Sequence, residues 1–435
     1  MEKHIPEGYK QTEVGIFPED WVEKRIGDIF DFKNGLNKGK EYFGYGIPII
    51  NYMDVYKNSS ILGKNLKGRV SLNKNEIETY KVNKGDVFFT RTSETVEEIG
   101  MSAVLLEDSS DTVFSGFLLR ARPRNQILDL EFCKYCFSHK QIRRQILQKA
   151  SFTTRALTNG KLLSRVILLI PPTKTEQQSI ATALSDVDNL ITSLEQLIEK
   201  KKAIKQGTMQ ELLTGKRRLK GFGEGKGYKQ TELGLIPEDW EVKRLHELGK
   251  FQSGIGFPLH LQGKHQEVIP FYKVSDMNNN GNEVFMLNSN NYISQKVLIE
   301  LGATLIPRSS IVFAKIGAAL FLERKRLLLV DSLIDNNMMA IIADIDTIDT
   351  KYLYYLLINI KLSKYANTTA LPSINRNDIG EINLKIPTLY EQQAITEVLT
   401  NMDSEIENLE TKVNKYKQIK QGMMQNLLTG RIRLA

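Results

Sequence analysis

The side chains best placed for chemistry in this chain are donors to anions and base edges, not a catalytic set. FFTRTSETVEEIG at 88–100 and SFTTRAL at 151–157 put Arg91, Thr92, Ser93, Thr95, Thr153, Thr154 and Arg155 in loops. A later stretch offers Ser275, Lys315, Asn367, Thr368, Thr369, Asn375 and Arg376. Arginine can pair with guanine through two hydrogen bonds, and asparagine with adenine. Hydroxyls serve phosphates as well as bases. Lys64, Lys67, Arg69, Arg143 and Arg144 would add salt-sensitive phosphate contacts. Each alone is an ordinary solvated side chain. As a set in two comparable stretches they suggest a binding surface, although Glu94, Glu97 and Glu98 oppose an anionic partner.

Catalytic patterns are missing. Cys133, Cys136 and His139 have the spacing C-x2-C-x2-H, half a zinc site without a fourth ligand. The cysteines read better as the apolar face of a helix. FQSGIGF at 251–257 contains G-x-G but no βαβ context, and the matching FKNGLNK has Asn37 in place of Gly256, so turn geometry is expected. GFGEGKG at 221–227 lacks the spacing and terminal Ser/Thr of a phosphate loop. None of the five histidines belongs to an H-E-x-x-H pattern. No metal, cofactor or catalytic residue is expected here, which argues against a nuclease or methyltransferase acting alone.

The formal charge of +8 over 435 residues permits an anionic partner without requiring one. No run of 18 apolar residues occurs, and MEKHIPEGYKQTE has no signal-peptide core, so a cytoplasmic protein is expected.

The elements that must position these side chains come in two copies. YKQTEVGIFPEDW at 9–21 returns as YKQTELGLIPEDW at 228–240. TEQQSIATALSDVDNLI at 175–191 answers YEQQAITEVLTNMDSEI at 390–406, and KQGTMQELLTGK at 205–216 answers KQGMMQNLLTGR at 420–431. Between these frames the sequence diverges. A duplicated frame with dissimilar inserts suits recognition of two different things at a fixed separation.

Long helices are expected at 175–214 and 390–429. Ile180, Leu184, Val187, Ile191, Leu194 and Ile198 alternate steps of four and three, as do Ile395, Leu399, Met402, Ile406, Leu409, Val413 and Tyr416. That is a coiled-coil seam. Prolines precede both helices, and Gly215 and Gly430 stand at the C-cap. A pseudo-twofold relation would run the helices antiparallel with the variable blocks at opposite ends; a parallel pair remains open. The seam weakens near Gly207 and Gly422, which suits either a close helix crossing or a surface where another protein packs, with Met209, Met423 and Met424 as adaptable contacts. Trp21 and Trp240 read as core or interface anchors.

The implied division is a lead-in at 1–19, a variable block at 20–170, a helix at 171–215, a linker with repeated lead-in at 216–238, a second block at 239–386, and a helix with tail at 387–435. Both blocks read as one mixed α/β fold. DVFFTRT, MSAVLLE, VIPFYKVSDM and NNMMAIIA are strand-like, while DLEFCKYCFSHKQIRRQILQKA and TKYLYYLLINIKLSKYA are helix-like.

This order resembles the specificity subunit of a type I restriction–modification system, over essentially the whole chain. The resemblance rests on Y-K-x-T-E-x-G-x-x-P-x-x-W at 9–21 and 228–240, the E-Q-x-x-I starts at 176–180 and 391–395, and LLTG at 212–215 and 427–430. It implies a non-catalytic subunit whose blocks are target-recognition domains, each reading half of a split double-stranded DNA sequence. It implies two modification subunits carrying S-adenosylmethionine and methylating adenine, and restriction subunits using ATP and Mg to translocate and cut. Alternatives are the specificity subunit of a related modification enzyme with a different cutting arrangement, a coiled-coil protein scaffold, and a self-contained modifying enzyme.

Overall fold

A computed structural model describes residues 5–152, 155–367 and 371–434. Thr153, Thr154, Thr368 and Thr369 lie outside the described residues. The chain forms two compact units, one built from residues 1–196 with 410–435, the other from 197–409.

The first unit contains a five-stranded sheet in the order Phe30–Asn34, Leu118–Pro123, Val87–Thr90, Ser102–Leu105, Ser60–Ile61. Every pairing is antiparallel except the last. The second unit repeats it with Gly249–Ser253, Met338–Ala343, Ile311–Ala314, Lys325–Leu328 and Phe285–Met286, again with only the last pair parallel. In both, the central strands are apolar on both faces (Val87–Thr90 and Ile311–Ala314 are buried throughout), because core packs on each side. Two mixed α/β blocks with one topology and different surfaces are the result. Each is closed by a two-stranded pairing: Val22–Arg25 with Ile167–Ile170, and Glu241–Arg244 with Asn383–Ile386.

Two glycines show how tightly the shared frame is built. A Cβ on Gly35 would stand 2.0 Å from the Ser115 carbonyl oxygen, and one on Gly254 1.9 Å from that of Asp335. Only glycine permits this approach. The first glycine of the G-x-G in FQSGIGF is thus a packing device; neither Gly254 nor Gly256 has a positive φ, and Gly256 has open space.

The segment DLEFCKYCFSHKQIRRQILQKA departs from the expected helix. A 3-10 turn covers Phe132–Lys134, and the helix starts only at Lys140 and ends at Lys149. Phe132, Cys133, Tyr135, Cys136, Phe137 and His139 are all buried. A helix offers the core one stripe, so a run buried almost all round needs an irregular path. Both cysteines are free and buried.

The long helices run Lys174–Leu213 and Leu389–Leu427. Each contributes its start to one unit and its end to the other. In the first unit, ion pairs join Asp188 to Lys420 (2.6 Å) and Glu195 to Lys417 (2.7 Å). In the second, Lys201 pairs with Glu405 (2.6 Å) and Lys205 with Asp403. Numbers rise along one helix as they fall along the other, so the pair is antiparallel. All thirteen seam residues are buried or half-buried.

The repeated motifs have a common explanation. Glu176 and Glu391 meet an arginine from the end of the other long helix's tail, Arg433 and Arg218 respectively. Arg433 also grips Asp20 through two bonds of 2.9 Å, and Arg218 grips Asp239 at 2.8 and 3.1 Å. These bonds, the glutamate's first, raise both guanidinium pKa values and hold Asp20 and Asp239 below the ordinary carboxylate range. The next residue, Gln177 or Gln392, is buried and ties the helix start to its block. Each donates to a proline carbonyl (Pro171, 3.1 Å; Pro387, 3.0 Å) and accepts a backbone N–H (Asp129, 2.7 Å; Asp349, 2.8 Å). Ile180 and Ile395 then enter the core. In LLTG the leucines are core, and the glycine has φ +71° at Gly215 and +67° at Gly430. Its carbonyl accepts the lead-in tyrosine hydroxyl: Tyr228 at 3.0 Å and Tyr9 at 2.9 Å. Trp21 and Trp240 are buried as expected, but only Trp240 has an indole partner, Glu391 at 3.0 Å.

Candidate nucleic-acid interface

Backbone pairing defines an equivalent loop cluster in each unit. Beyond the central strand, Arg91 N–H donates to the Phe117 carbonyl (3.0 Å), and its own carbonyl accepts from Thr158 N–H (3.0 Å). In the second unit Lys315 N–H donates to Asn337 (2.8 Å), and its carbonyl accepts from Ile374 N–H (2.8 Å). Arg91 and Lys315 are therefore the same position, with Phe117 matched to Asn337 and Thr158 to Ile374. Ser115 bridges to Leu36 as Asp335 does to Ile255. Each block thus brings together four segments far apart in sequence, with a basic residue in the middle.

The surroundings differ. In the first unit Thr92–Ser93 pairs with Ala156–Leu157, which pairs with Ser151–Phe152. Thr92, Leu157 and Ser151 share the outward face, while Ser93 and Ala156 are buried. In the second unit this sheet shrinks to bridges of Ser373 with Ile316 and with Asn367.

Several expected contact residues gather here: Arg91, Thr92 and exposed Arg155 in the first unit, and Lys315, Asn367, Asn375 and Arg376 in the second. Lys315 Nζ donates to Ser253 Oγ (3.1 Å), and an Arg91 Nη donates to the Gly116 carbonyl (3.5 Å). Arg155 lies 4.0 Å from Glu94 in an exposed pair. Asn375 Oδ1 is spent on capping a short helix, accepting from Asn377 and Asp378 N–H. Ser93 donates to Glu98 Oε2 (2.7 Å), and Tyr56 donates to Oε1 (2.8 Å). Those two hydroxyls, Ser93 first, hold the Glu98 carboxyl below its usual range. Thr95 is exposed beside them.

Other candidates stand apart. Lys64 and Lys67 lie between the edge strands Ser60–Ile61 and Arg69–Val70, and Arg69 opens the second strand, bonded to the Leu66 and Gly68 carbonyls (2.8 Å each). Arg144 is exposed, but Arg143 turns inward onto the Glu97 carbonyl (2.7 Å). Ser275 is exposed on the 3-10 turn Val274–Asn278. Among the described residues no group of three or more His, Cys, Asp or Glu could hold a metal. No described helix is long and apolar enough to cross a membrane.

The helix ends correct one expectation. Met209 is 2 % exposed and packs with Trp240 in the core, so it offers no surface; its neighbours Leu212 and Leu213 pull that helix face inward. Met423 and Met424 are half-buried against the first unit's core. A close crossing does not explain the glycines either: a Cβ on Gly207 or Gly422 would meet nothing within 4 Å.

Sequence reasoning missed the loops 115–117 and 335–337. No residue pattern marks the first, the second overlaps the strand-like run NNMMAIIA, and the cross-strand neighbours that make them part of the cluster lie more than twenty residues away.

Comparison with known proteins agrees with this architecture. The type I restriction enzyme MjaVIII specificity subunit of Methanocaldococcus jannaschii is 27% identical over 448 residues, covering 100% of this chain and 98% of that protein. The S subunit of a type I restriction–modification system from M. genitalium shares the fold with a TM-score of 0.53 at 15% identity, covering 94% of this chain and 96% of that one. A chain from a structure of type I R-M complex assembly and conformational transition gives 0.58 at 13% identity, covering 96% and 99%. The model of the type I restriction modification DNA specificity domain matches residues 18–206 and again 237–420, one match for each copy of the frame. The chain belongs to that family and is a non-catalytic, DNA-specificity subunit of a type I restriction–modification system.

Proposed function

We propose that blocks 20–170 and 239–386 each read one half of a bipartite DNA target, and that the long helices set the distance between the halves. What carries this reading is the pair of loop clusters on one frame: the same backbone positions hold Arg91 and Phe117 in one block and Lys315 and Asn337 in the other. Equal scaffolds with unequal side chains suit two different short sequences. The helices, of 40 and 39 residues, supply a separator of about 60 Å at 1.5 Å per residue.

Two modification subunits bind, one to each unit. Ile204 and Ile419 are exposed (45% and 40%) at matching places, each one turn before a bare glycine, Gly207 or Gly422. A helix-interior glycine costs about 1 kcal/mol relative to alanine. Nothing inside the described chain requires it, which supports an incoming backbone as its use. The modification subunits carry the methyl donor and flip an adenine from each half-site, and restriction subunits join for ATP-dependent cleavage. The complex works on cellular DNA in the cytoplasm.

The test is to map methylated adenines in cellular DNA with this gene present and deleted, keeping the modification partner. Loss of methylation at one split motif is expected. An unchanged map, with modification still active, would sink the reading.

A further inference from the structure

We propose that the residue at one loop position in each block reads a base: Phe117 packs on a thymine C5-methyl group in the first half-site, and Asn337 pairs with an adenine in the second. This rests on the function proposed above and specifies its chemistry.

Phe117 is 59% exposed, although Ser115, Gly116 and Leu118 around it are buried. Lone exposed apolar residues are common and need no explanation. This one is held in place, however. Gly116 N–H donates to the Leu36 carbonyl (2.7 Å), and a Cβ on Gly116 would lie 2.0 Å from Asn37 Oδ1. The Phe117 carbonyl is fixed by Arg91 N–H, and an Arg91 guanidinium nitrogen reaches the carbonyl of Gly116. A loop this constrained presents its one outward side chain with little freedom to withdraw, which is what a specific contact requires.

The second copy sharpens the argument. The same backbone position, beside the equivalent basic residue Lys315, carries Asn337, with Asn336 before it, and both are exposed. One block therefore presents a ring where the other presents amides. The edges of DNA bases in the major groove offer a counterpart to each. The thymine methyl is the apolar group there, and the adenine N6/N7 pair fits an amide in two hydrogen bonds. Arg91 beside Phe117 supplies a donor for phosphate or guanine.

The experiment uses the complex of this chain with its modification subunit and duplexes carrying the target found by methylation mapping. Each thymine is replaced in turn by deoxyuridine, which removes only the methyl, and each adenine by 7-deazaadenine, which removes N7. Binding is measured against a scrambled duplex. For the wild type, deoxyuridine at one position of the first half-site is expected to weaken binding about fourfold, the worth of one buried methyl at ~0.8 kcal/mol. F117A should bind the thymine duplex more weakly and no longer distinguish thymine from deoxyuridine. F117L should keep part of the distinction. N337A should lose the 7-deazaadenine effect, in the other half-site only. A deoxyuridine effect that persists in F117A, no such effect at any position in the wild type, or weakening by F117A without methyl dependence (a ring wedged between base pairs) would each overturn the assignment. These outcomes presuppose target preference by the wild type. Without that preference the function proposed above falls with it.

Discussion

The two arginine clusters make a matched experiment, because the same Arg–Asp–Glu triad sits at different depths. In the second unit the side chains of Arg218, Asp239 and Glu391 are 12%, 18% and 1% exposed. In the first, Arg433, Asp20 and Glu176 are 39%, 51% and 7% exposed. Arg218→Ala strands the Glu391 carboxylate in the core with the Trp240 indole as its remaining side-chain donor, and breaking a buried pair this way costs about 3–5 kcal/mol. Arg433→Ala lets water reach the vacated space, so solvent screening reduces the same loss to about 1–2 kcal/mol. The two tryptophans fall one in each unit, which gives separate reporters. Urea unfolding of Arg218→Ala would be followed by Trp240 fluorescence in a Trp21→Phe background. Arg433→Ala would be followed by Trp21 with Trp240→Phe. Adding Glu391→Gln to Arg218→Ala removes the stranded charge and should restore more than half the loss. Equal costs at the two arginines would refute the argument that solvent access around the arginine sets the magnitude, and no rescue by Glu391→Gln would refute the stranded charge as its source.

Three further outcomes follow from the same geometry. Lengthening both helices by two turns each should widen the preferred half-site gap by about 11 Å, roughly three base pairs; methylation mapping that recovers the original gap would refute the ruler. Burial first, and then the Arg431 charge, pull the His139 imidazole down to about 4, whereas an unfolded histidine titrates near 6.5. Between those values the unfolded chain binds the extra proton, so stability is full above pH 6.5 and falls as pH drops towards 4, by up to about 3 kcal/mol. His139→Leu should flatten that part of the Trp21-monitored pH profile, and an unaltered slope would count against it. Gly35→Ala should destabilise the first unit by at least about 2 kcal/mol through collision with Ser115, while Gly207→Ala should stabilise the isolated chain by about 0.5–1 kcal/mol; thermal melts reading the opposite signs would contradict the packing described.

What the sequence disclosed follows from the range of each interaction. The helix seams repeat within seven residues, so Ile180 through Ile198 and Ile395 through Tyr416 were legible, as was the lead-in repeated at Tyr9 and Tyr228. The E-Q-x-x-I pattern was visible, but not its reason: Glu176 is bound to Arg433, 257 residues away. Met209 reads as surface because the seam fades there, whereas that helix face turns into the core with Trp240, Ile395 and Leu399. By residue type Arg143 is available for phosphate, but the Glu97 carbonyl claims its guanidinium. Of the candidate interface, Arg91 and Lys315 could be named from residue type. Their equivalence could not, since it depends on cross-strand hydrogen bonds to Phe117 and Asn337. Phe117 itself has no polar atom in its side chain to attract notice.

The uneven composition of the two units bears on how the protein is made. Residues 197–409 are one continuous stretch, but the first unit needs 410–435, including Leu427 and Leu428 in its core and Arg433 on Glu176. On a ribosome adding about 5–20 residues per second, the opening 196 residues wait roughly 10–50 s for those partners to be synthesised. During that interval the core lacks two leucines, and Glu176 lacks its counterion. The part translated first is thus the part finished last, and a nascent chain stalled anywhere in its second half leaves that face open to chaperones and proteases.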